Sequence, residues 1–427
     1  MSSHPSHRAR IRRFALATAL SVAAAGLLSA CGGSSSSTAS GTSSGSDTTA
    51  SATNASSSTS SSTPARILII CPFSGPLAVA GEAEYYGLEA AAQVLNANGG
   101  ADGHKVIVSS LDDAGSGVTA VSKAETVIAS GAKYAGVLGG CFGQDALPLA
   151  SVFGKSGIID FGPVPDNYVS PPKYAGMFVG GTLVSTPEVA LAASMKAKGI
   201  TRFAIVTGND TTAVLGAQAL QAAAKSAGMT VTATEEVPDT AVDATPQVSA
   251  AVASHPQAIA VNNYTPVIGP ILKARTTLGS ALPLYGDAYF GAANIGLLTT
   301  KAERAGVNIV TFPFLVVGNP AQNAASWKTF IAADQKYNPK PLISVYADVT
   351  GYDDAMAIAA GVTKTGDVSG PALATALGNI TSSSQVPNFV GTFPLFTPTV
   401  HAWGLAASNY TTVAAGLWKG GLIVPGT

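Results

Sequence analysis

The chain is poor in the residues that most chemistry requires. It has three cysteines in 427 residues, Cys31, Cys71 and Cys141. Beyond Cys31 only one disulfide is therefore available. It has five histidines. His4 and His7 stand in the amino-terminal segment, and His104, His255 and His401 show no metal-ligand spacing. No histidine sits where it would activate a cysteine, so neither a metal centre nor a thiol catalyst is expected. Cations are no more abundant than anions, with 23 Lys and Arg against 24 Asp and Glu. The absence of a basic stripe argues against a nucleic-acid partner. Long apolar runs are also missing. The run from Phe14 to Leu28 is too short and too rich in alanine for a membrane span. Gly139, Gly140 and Gly143 do not have the spacing of a dinucleotide loop. No cofactor is implied.

What is present starts with a leader. Arg8, Arg10, Arg12 and Arg13 precede the apolar run, which closes on Leu28-Ser29-Ala30-Cys31. This order reads as an export signal. It resembles the lipobox of bacterial lipoproteins, which implies cleavage after residue 30 and lipidation of Cys31. Removing the four arginines of the leader takes the net charge from −1 to −5. Residues 31–64 begin with that cysteine and continue almost wholly in Ser, Thr, Ala and Gly. Such a stretch cannot bury enough apolar surface to fold and is expected to be a tether. The expected location is outside the cytoplasm, on the membrane through the lipid.

From residue 65 onward strands and helices alternate. Arg66–Cys71, His104–Leu111, Ala135–Gly140 and Gly157–Phe161 read as strands, separated by helical patterns at Gly87–Asn98, Val118–Ser130 and Ala146–Phe153. The alternation resumes from Glu188 and runs through strands ending with Val307–Val310. Tyr346–Gly361 adds a further helix. There are too many strands for one sheet, so the expected fold is α/β, with two doubly wound parallel-sheet lobes and a ligand cleft between them. Ligands of such sheets bind at the carboxyl ends of the strands. Asp112-Asp113 lies at one such end and is expected to fix a turn and cap a helix.

The stretch CPFSGPLAVAGEAEYYGLEAAAQVLNANGGADGHKVIVSSLDD, from Cys71 to Asp113, is similar to the opening of the type I periplasmic binding proteins of the leucine/isoleucine/valine class. The resemblance continues through GVLGG, RFAIVTGND, ILKARTTLG and AGVNIV. It implies a substrate-binding protein that closes two lobes on a small ligand and delivers it to an ABC permease, without catalysis. It also implies three crossovers, with lobe one formed by 65–181 and 314–388 and lobe two by 182–313 and 389–427. The receptor part is expected to be a monomer.

The same resemblance places the ligand against Ser74, Ala80, Phe142, Gly143, Gln144, Gly162, Pro163, Thr212, Asn263, Tyr264, Asp287 and Tyr289. The family's carboxylate-holding hydroxyl after the third strand is missing, because Phe142-Gly143-Gln144 stands there. Asp145 would oppose an anion unless it caps its helix. Asp287 falls at the position that meets a ligand ammonium. The expected ligand is thus a small polar molecule, an amino acid or a related amine or amide. A non-amino-acid ligand such as an aromatic acid, or a sensory role on the same fold, is the alternative. In the family's strand order Cys71 and Cys141 end neighbouring strands, which allows a disulfide, with two packed free thiols as the other option.

Overall fold

The computed structural model describes residues 63–264 and 266–426. The expected leader, Cys31 and nearly all of the tether lie outside the described residues. Among the described residues no helix is long and apolar enough to cross a membrane.

The first half of the chain alternates β1 (Ala65–Cys71), α1 (Ala78–Ala97), β2 (Val106–Asp112), α2 (Gly117–Ala129), β3 (Gly136–Gly139), α3 (Gly143–Ser156), β4 (Asp160–Phe161) and β5 (Met177–Phe178). These strands form one sheet in the order β2-β1-β3-β4-β5, parallel throughout. The reason is legible in β1. Side chains alternate between faces along a strand, and both faces here are apolar. Ile67, Ile69 and Cys71 pack into one core and Leu68 and Ile70 into another. A strand buried on both sides needs helices on both sides.

The chain then crosses to a second sheet. It continues through α4 (Thr186–Ala197), β6 (Arg202–Gly208), α5 (Thr211–Ser226), β7 (Thr230–Val237), α6 (Thr245–Ala253), β8 (Ala258–Asn262), α7 (Ile268–Thr277), β9 (Leu284–Gly286), α8 (Ala288–Ala292), α9 (Ile295–Leu298), α10 (Lys301–Arg304) and β10 (Val307–Thr311). After β10 it returns to the first lobe with α11 (Ala325–Asp334), α12 (Tyr346–Thr365) and α13 (Pro371–Gly378), then crosses a third time to β11 (Thr411–Lys419) and β12 (Leu422–Pro425). The second sheet has the order β12-β11-β10-β9-β8-β6-β7. Its parallel part ends at β10, where β11 and β12 add an antiparallel edge.

Residues 389–427 were expected together in lobe two. The structure divides them. Phe389, Phe393, Phe396 and Trp403 fill the core beside the first sheet, and only the hairpin from Thr411 onward joins the second. Val179 donates its N–H to His401 O at 2.8 Å, which ties this segment to the end of β5.

Candidate functional site

A cavity of about 400 Å³ opens between the carboxyl ends of the two sheets. This lies within the range of small-molecule sites. Lobe one supplies the start of α1, the turn after β3, the loop after β4 and one face of α12. Lobe two supplies the start of α5, the loop after β8 and the segment from Ala292 to Leu298. The first crossover contributes Gly180, Gly181 and Thr182. The wall is mostly apolar, with Leu77, Val79, Phe142, Phe161 and Leu298 among its members.

The turn after β3 shows how local sequence builds this wall. Gly139 and Gly140 are required by space and by conformation. A Cβ on Gly139 would lie 2.0 Å from Asp160 Oδ1, and Gly140 has φ 91° with Ala146 N 2.5 Å from its absent Cβ. The chain can then enter α3 directly. Asp145 is buried and its Oδ1 accepts the N–H of Phe142 at 3.0 Å and that of Ala146 at 3.1 Å. It therefore caps its own helix. Gly143 donates its N–H across the cleft to Thr212 Oγ1 at 2.8 Å. Phe142 stacks on Tyr264 of the other lobe with ring centroids 5.1 Å apart.

Beneath this turn Cys71 and Cys141 form a disulfide, with their Cα atoms 5.4 Å apart. Glu84 Oε2 lies 2.9 Å from Cys141 Sγ. A bridged sulfur has no hydrogen to give, so this contact is a hydrogen bond only when the Glu84 carboxyl carries the proton. Burial, reinforced by the Asp145 carboxylate, agrees by pushing Glu84 up to about 8. Cys71, Glu84 and Cys141 are close enough to suggest a metal site. Their sulfurs are bonded to each other, however, and a disulfide is not a thiolate ligand.

Of the residues placed at the ligand by resemblance, Ala80, Phe142, Gly162, Pro163, Thr212, Tyr264 and Tyr289 line the cavity. Ser74, Gly143, Gln144, Asn263 and Asp287 do not. Ser74 is exposed and hydrogen-bonds to Asp112. Asn263 is fully buried in the wall's interior. Asp287, expected to meet a ligand amine, is fully buried within lobe two. Its Oδ1 caps α8 by accepting the Phe290 N–H at 2.7 Å, and Oδ2 accepts from Asn262 Nδ2 at 3.4 Å. Glu188 lies beside it and also takes a hydrogen bond from Asn262. Two buried acids in contact cannot both ionise, and Glu188 is pushed up by burial and by Asp287.

Sequence reasoning missed Glu84, Thr182, Tyr346, Thr350 and Asp354, all of which line the cavity. Glu84 escaped because α1 was expected to start at Gly87, whereas it starts at Ala78. Gly81 hid the first turns. A Cβ there would lie 2.1 Å from Pro72 O, so the glycine serves packing against the end of β1 and does not break the helix. For Asp354 a signal existed: with Asp353 it forms an acidic pair that leads directly into the small and apolar run AMAIAAGV of the same helix.

The chain matches the model of a family described as periplasmic binding protein over residues 64–418. A Leu/Ile/Val/Thr-binding protein of Salmonella typhimurium is 26% identical over 251 residues, 58% of this chain and 67% of that protein. A Leu/Ile/Val-binding protein homolog of Brucella melitensis is 34% identical over 91 residues, 21% of this chain, and the match spans only 24% of that relative. A type 1 periplasmic binding protein of Bordetella pertussis superposes with a TM-score of 0.71 at 19% identity, covering 84% of this chain and 98% of that one. A solute-binding protein from R. palustris in complex with 4-hydroxybenzoate gives 0.69 at 18% identity, covering 84% and 95%. A branched-chain amino acid transporter substrate-binding protein of Streptococcus pneumoniae in complex with isoleucine gives 0.68 at 17% identity, covering 84% and 97%. The structural likeness concerns the fold, two parallel-sheet lobes around a cleft, and the sequence match runs through nearly all of the two-lobed part. The chain belongs to the periplasmic binding protein family.

Proposed function

We propose that this chain is the extracytoplasmic receptor of an ABC importer, held at the membrane by a lipid on Cys31, and that it captures a small, largely apolar molecule between its lobes. The observation that carries this reading is the cavity, to which both lobes and the first crossover contribute walls. A ligand in that position touches both lobes at once, so its binding energy favours closure. A permease can then distinguish loaded from empty receptor by shape.

The relatives named above bind leucine, isoleucine, valine or threonine by name, or were solved with isoleucine or 4-hydroxybenzoate. Each of those ligands carries a carboxylate. Among the described residues lining this cavity there is no lysine, arginine or histidine. This supports a ligand chosen by apolar contact more than by an anionic end. The test is a thermal-shift screen of the full chain against hydrophobic amino acids, aliphatic and aromatic amines, amides and aromatic acids. A true ligand at a hundred times its Kd stabilises by about 2.7 kcal/mol, and the melting temperature should rise by several degrees without chemical change in the compound. If no compound class produces a saturable shift, the receptor reading fails.

A further inference from the structure

Two carboxyl groups line the cavity, Glu84 and Asp354, with no lysine, arginine or histidine beside them, and both come from the α1–α12 crossing. α1 and α12 cross antiparallel at backbone distance because glycines face the crossing from both helices. A Cβ on Gly87 would lie 1.9 Å from Asp348 O, and one on Gly351 would lie 2.1 Å from Glu84 O. Glu84 is thereby set against α12. Asp354 lies three residues beyond Gly351 on the same helix, and both acids line the cavity. Asp354 is 2% exposed, and its Oδ1 has no hydrogen-bond partner in the protein. It packs over Gly180 of the first crossover, where a Cβ would lie 1.6 Å from that oxygen. Its neighbour Asp353 is different. That carboxylate accepts the backbone N–H of Val390 at 2.7 Å and of Gly391 at 3.1 Å, and does not line the cavity. Within one helix turn a structural acid and an unsatisfied cavity acid therefore stand side by side. Leaving a buried polar atom unpaired is costly, so Asp354 calls for a donor.

An anionic end has nowhere comparable to go. Of the N–H groups at the start of α3, that of Phe142 is held by Asp145, that of Gly143 by Thr212 and that of Asp145 by Phe142 O at 3.2 Å, and Gln144 does not line the cavity. After β4, the Gly162 N–H donates to Phe178 O at 3.2 Å, and Pro163 and Pro165 have no N–H. We propose that Glu84 and Asp354 form the cation-binding end of the cavity, and that the ligand is a protonated amine on a branched or aromatic hydrocarbon body with no carboxylate. Thr350, one turn from Asp354 on the face of α12 that lines the cavity, offers a third acceptor. An ammonium has three donors to match, and its charge favours the ionised acids, so the proton Glu84 holds in the ligand-free protein is released to solvent as the amine binds. The inference rests on the receptor reading and narrows it to a chemical class.

The experiment is titration calorimetry of the full chain with matched probes. Isopentylamine, isocaproate and leucine share one hydrocarbon body, and phenethylamine, hydrocinnamate and phenylalanine share another. At least one amine should bind, while its carboxylate and amino acid partners bind at least tenfold more weakly. Asp354→Asn and Glu84→Gln should each weaken amine binding tenfold or more while the melting temperature shows that both variants are folded. If a carboxylate or amino acid binds as tightly as the amine, or if both variants bind the amine normally, the cation-binding end is wrong and the receptor reading survives. If none of the six probes binds, the amine class is overturned as well. The broader screen above then decides the receptor reading separately.

Discussion

At the scale of single residues, this protein buries many carboxyl groups and gives few of them a cation. Glu84, Asp145 and Asp353 are all pushed up to about 8, in each case mainly by burial. An acid whose folded pKa is raised holds a proton that the unfolded chain would release. Its contribution to stability is complete below the ordinary carboxyl range. It declines as pH rises and is gone once pH passes about 8. The melting temperature should therefore fall between pH 6 and pH 9, and Glu84→Gln should make that fall shallower. A melting temperature that climbs over the same interval would contradict the assigned protonation. These acids also mark the limit of reading residues in isolation. The sequence allowed Asp145 to be recognised as a helix cap, because its distance from the helix start is local information. It did not show that Asp287 is walled in by Glu188 and Asn262, because those partners are 99 and 25 positions away in the chain. Asp354 was legible only as an anomaly, and its meaning came from Gly180 and Glu84, which reach it from other elements.

At the scale of elements, strand placement was the most legible feature and helix starts the least. β1 to β4 follow from short apolar runs bounded by polar turns, and their parallel order follows from the helices between them. The antiparallel hairpin β11–β12 was not foreseen, since its exposed and buried residues alternate irregularly and it pairs with a strand about a hundred residues earlier. The crossing of α1 on α12 was also invisible, although it places both cavity acids. It predicts a sharp steric sensitivity. Gly351→Ala puts a methyl group 2.1 Å from Glu84 O, a backbone atom that cannot swing aside. The helices must separate, at a cost of about 1–3 kcal/mol, and ligand affinity should fall with stability. Gly99→Ala has open space but a φ of 94°, so it should lose stability through backbone strain while leaving affinity unchanged. Denaturant melts and binding measured on both variants separate the two effects. The Cys71–Cys141 bridge acts at the same scale. It spans 70 residues and joins the ends of β1 and β3, so reduction should destabilise the fold by about 2–5 kcal/mol. An unchanged urea midpoint in reductant would argue against that role.

At the scale of the whole molecule, the lobes are held together by contacts that differ in kind. Behind the cavity, the three crossovers meet in a packed group. Phe312 stacks on Tyr410 at 4.7 Å and on Tyr346 at 5.7 Å, and Thr182 Oγ1 lies 3.1 Å from both Tyr289 OH and Tyr346 OH. This joins residues from all three crossovers and from both lobes, as a hinge requires. Across the cavity between α3 and α5 lie the Phe142–Tyr264 stack and the Gly143–Thr212 hydrogen bond, while the segment leading into α12 reaches lobe two through Ser344 N–H to Ala292 O at 2.9 Å and Val345 N–H to Gly421 O at 3.1 Å. A packed hinge with a small latch between α3 and α5 describes a molecule able to open at that latch. The latch can be weakened without touching the hinge. An aromatic pair contributes about 0.5–1.5 kcal/mol beyond the area it buries, so Phe142→Ala should move the ligand-free population toward the open form by up to about tenfold. Small-angle scattering of the ligand-free variant should then give a larger radius of gyration than the parent. Saturating ligand should restore the compact value, because ligand contacts replace the lost latch. If Phe142→Ala leaves the ligand-free dimensions unchanged but weakens binding, the residue acts as pocket wall alone and the latch lies elsewhere.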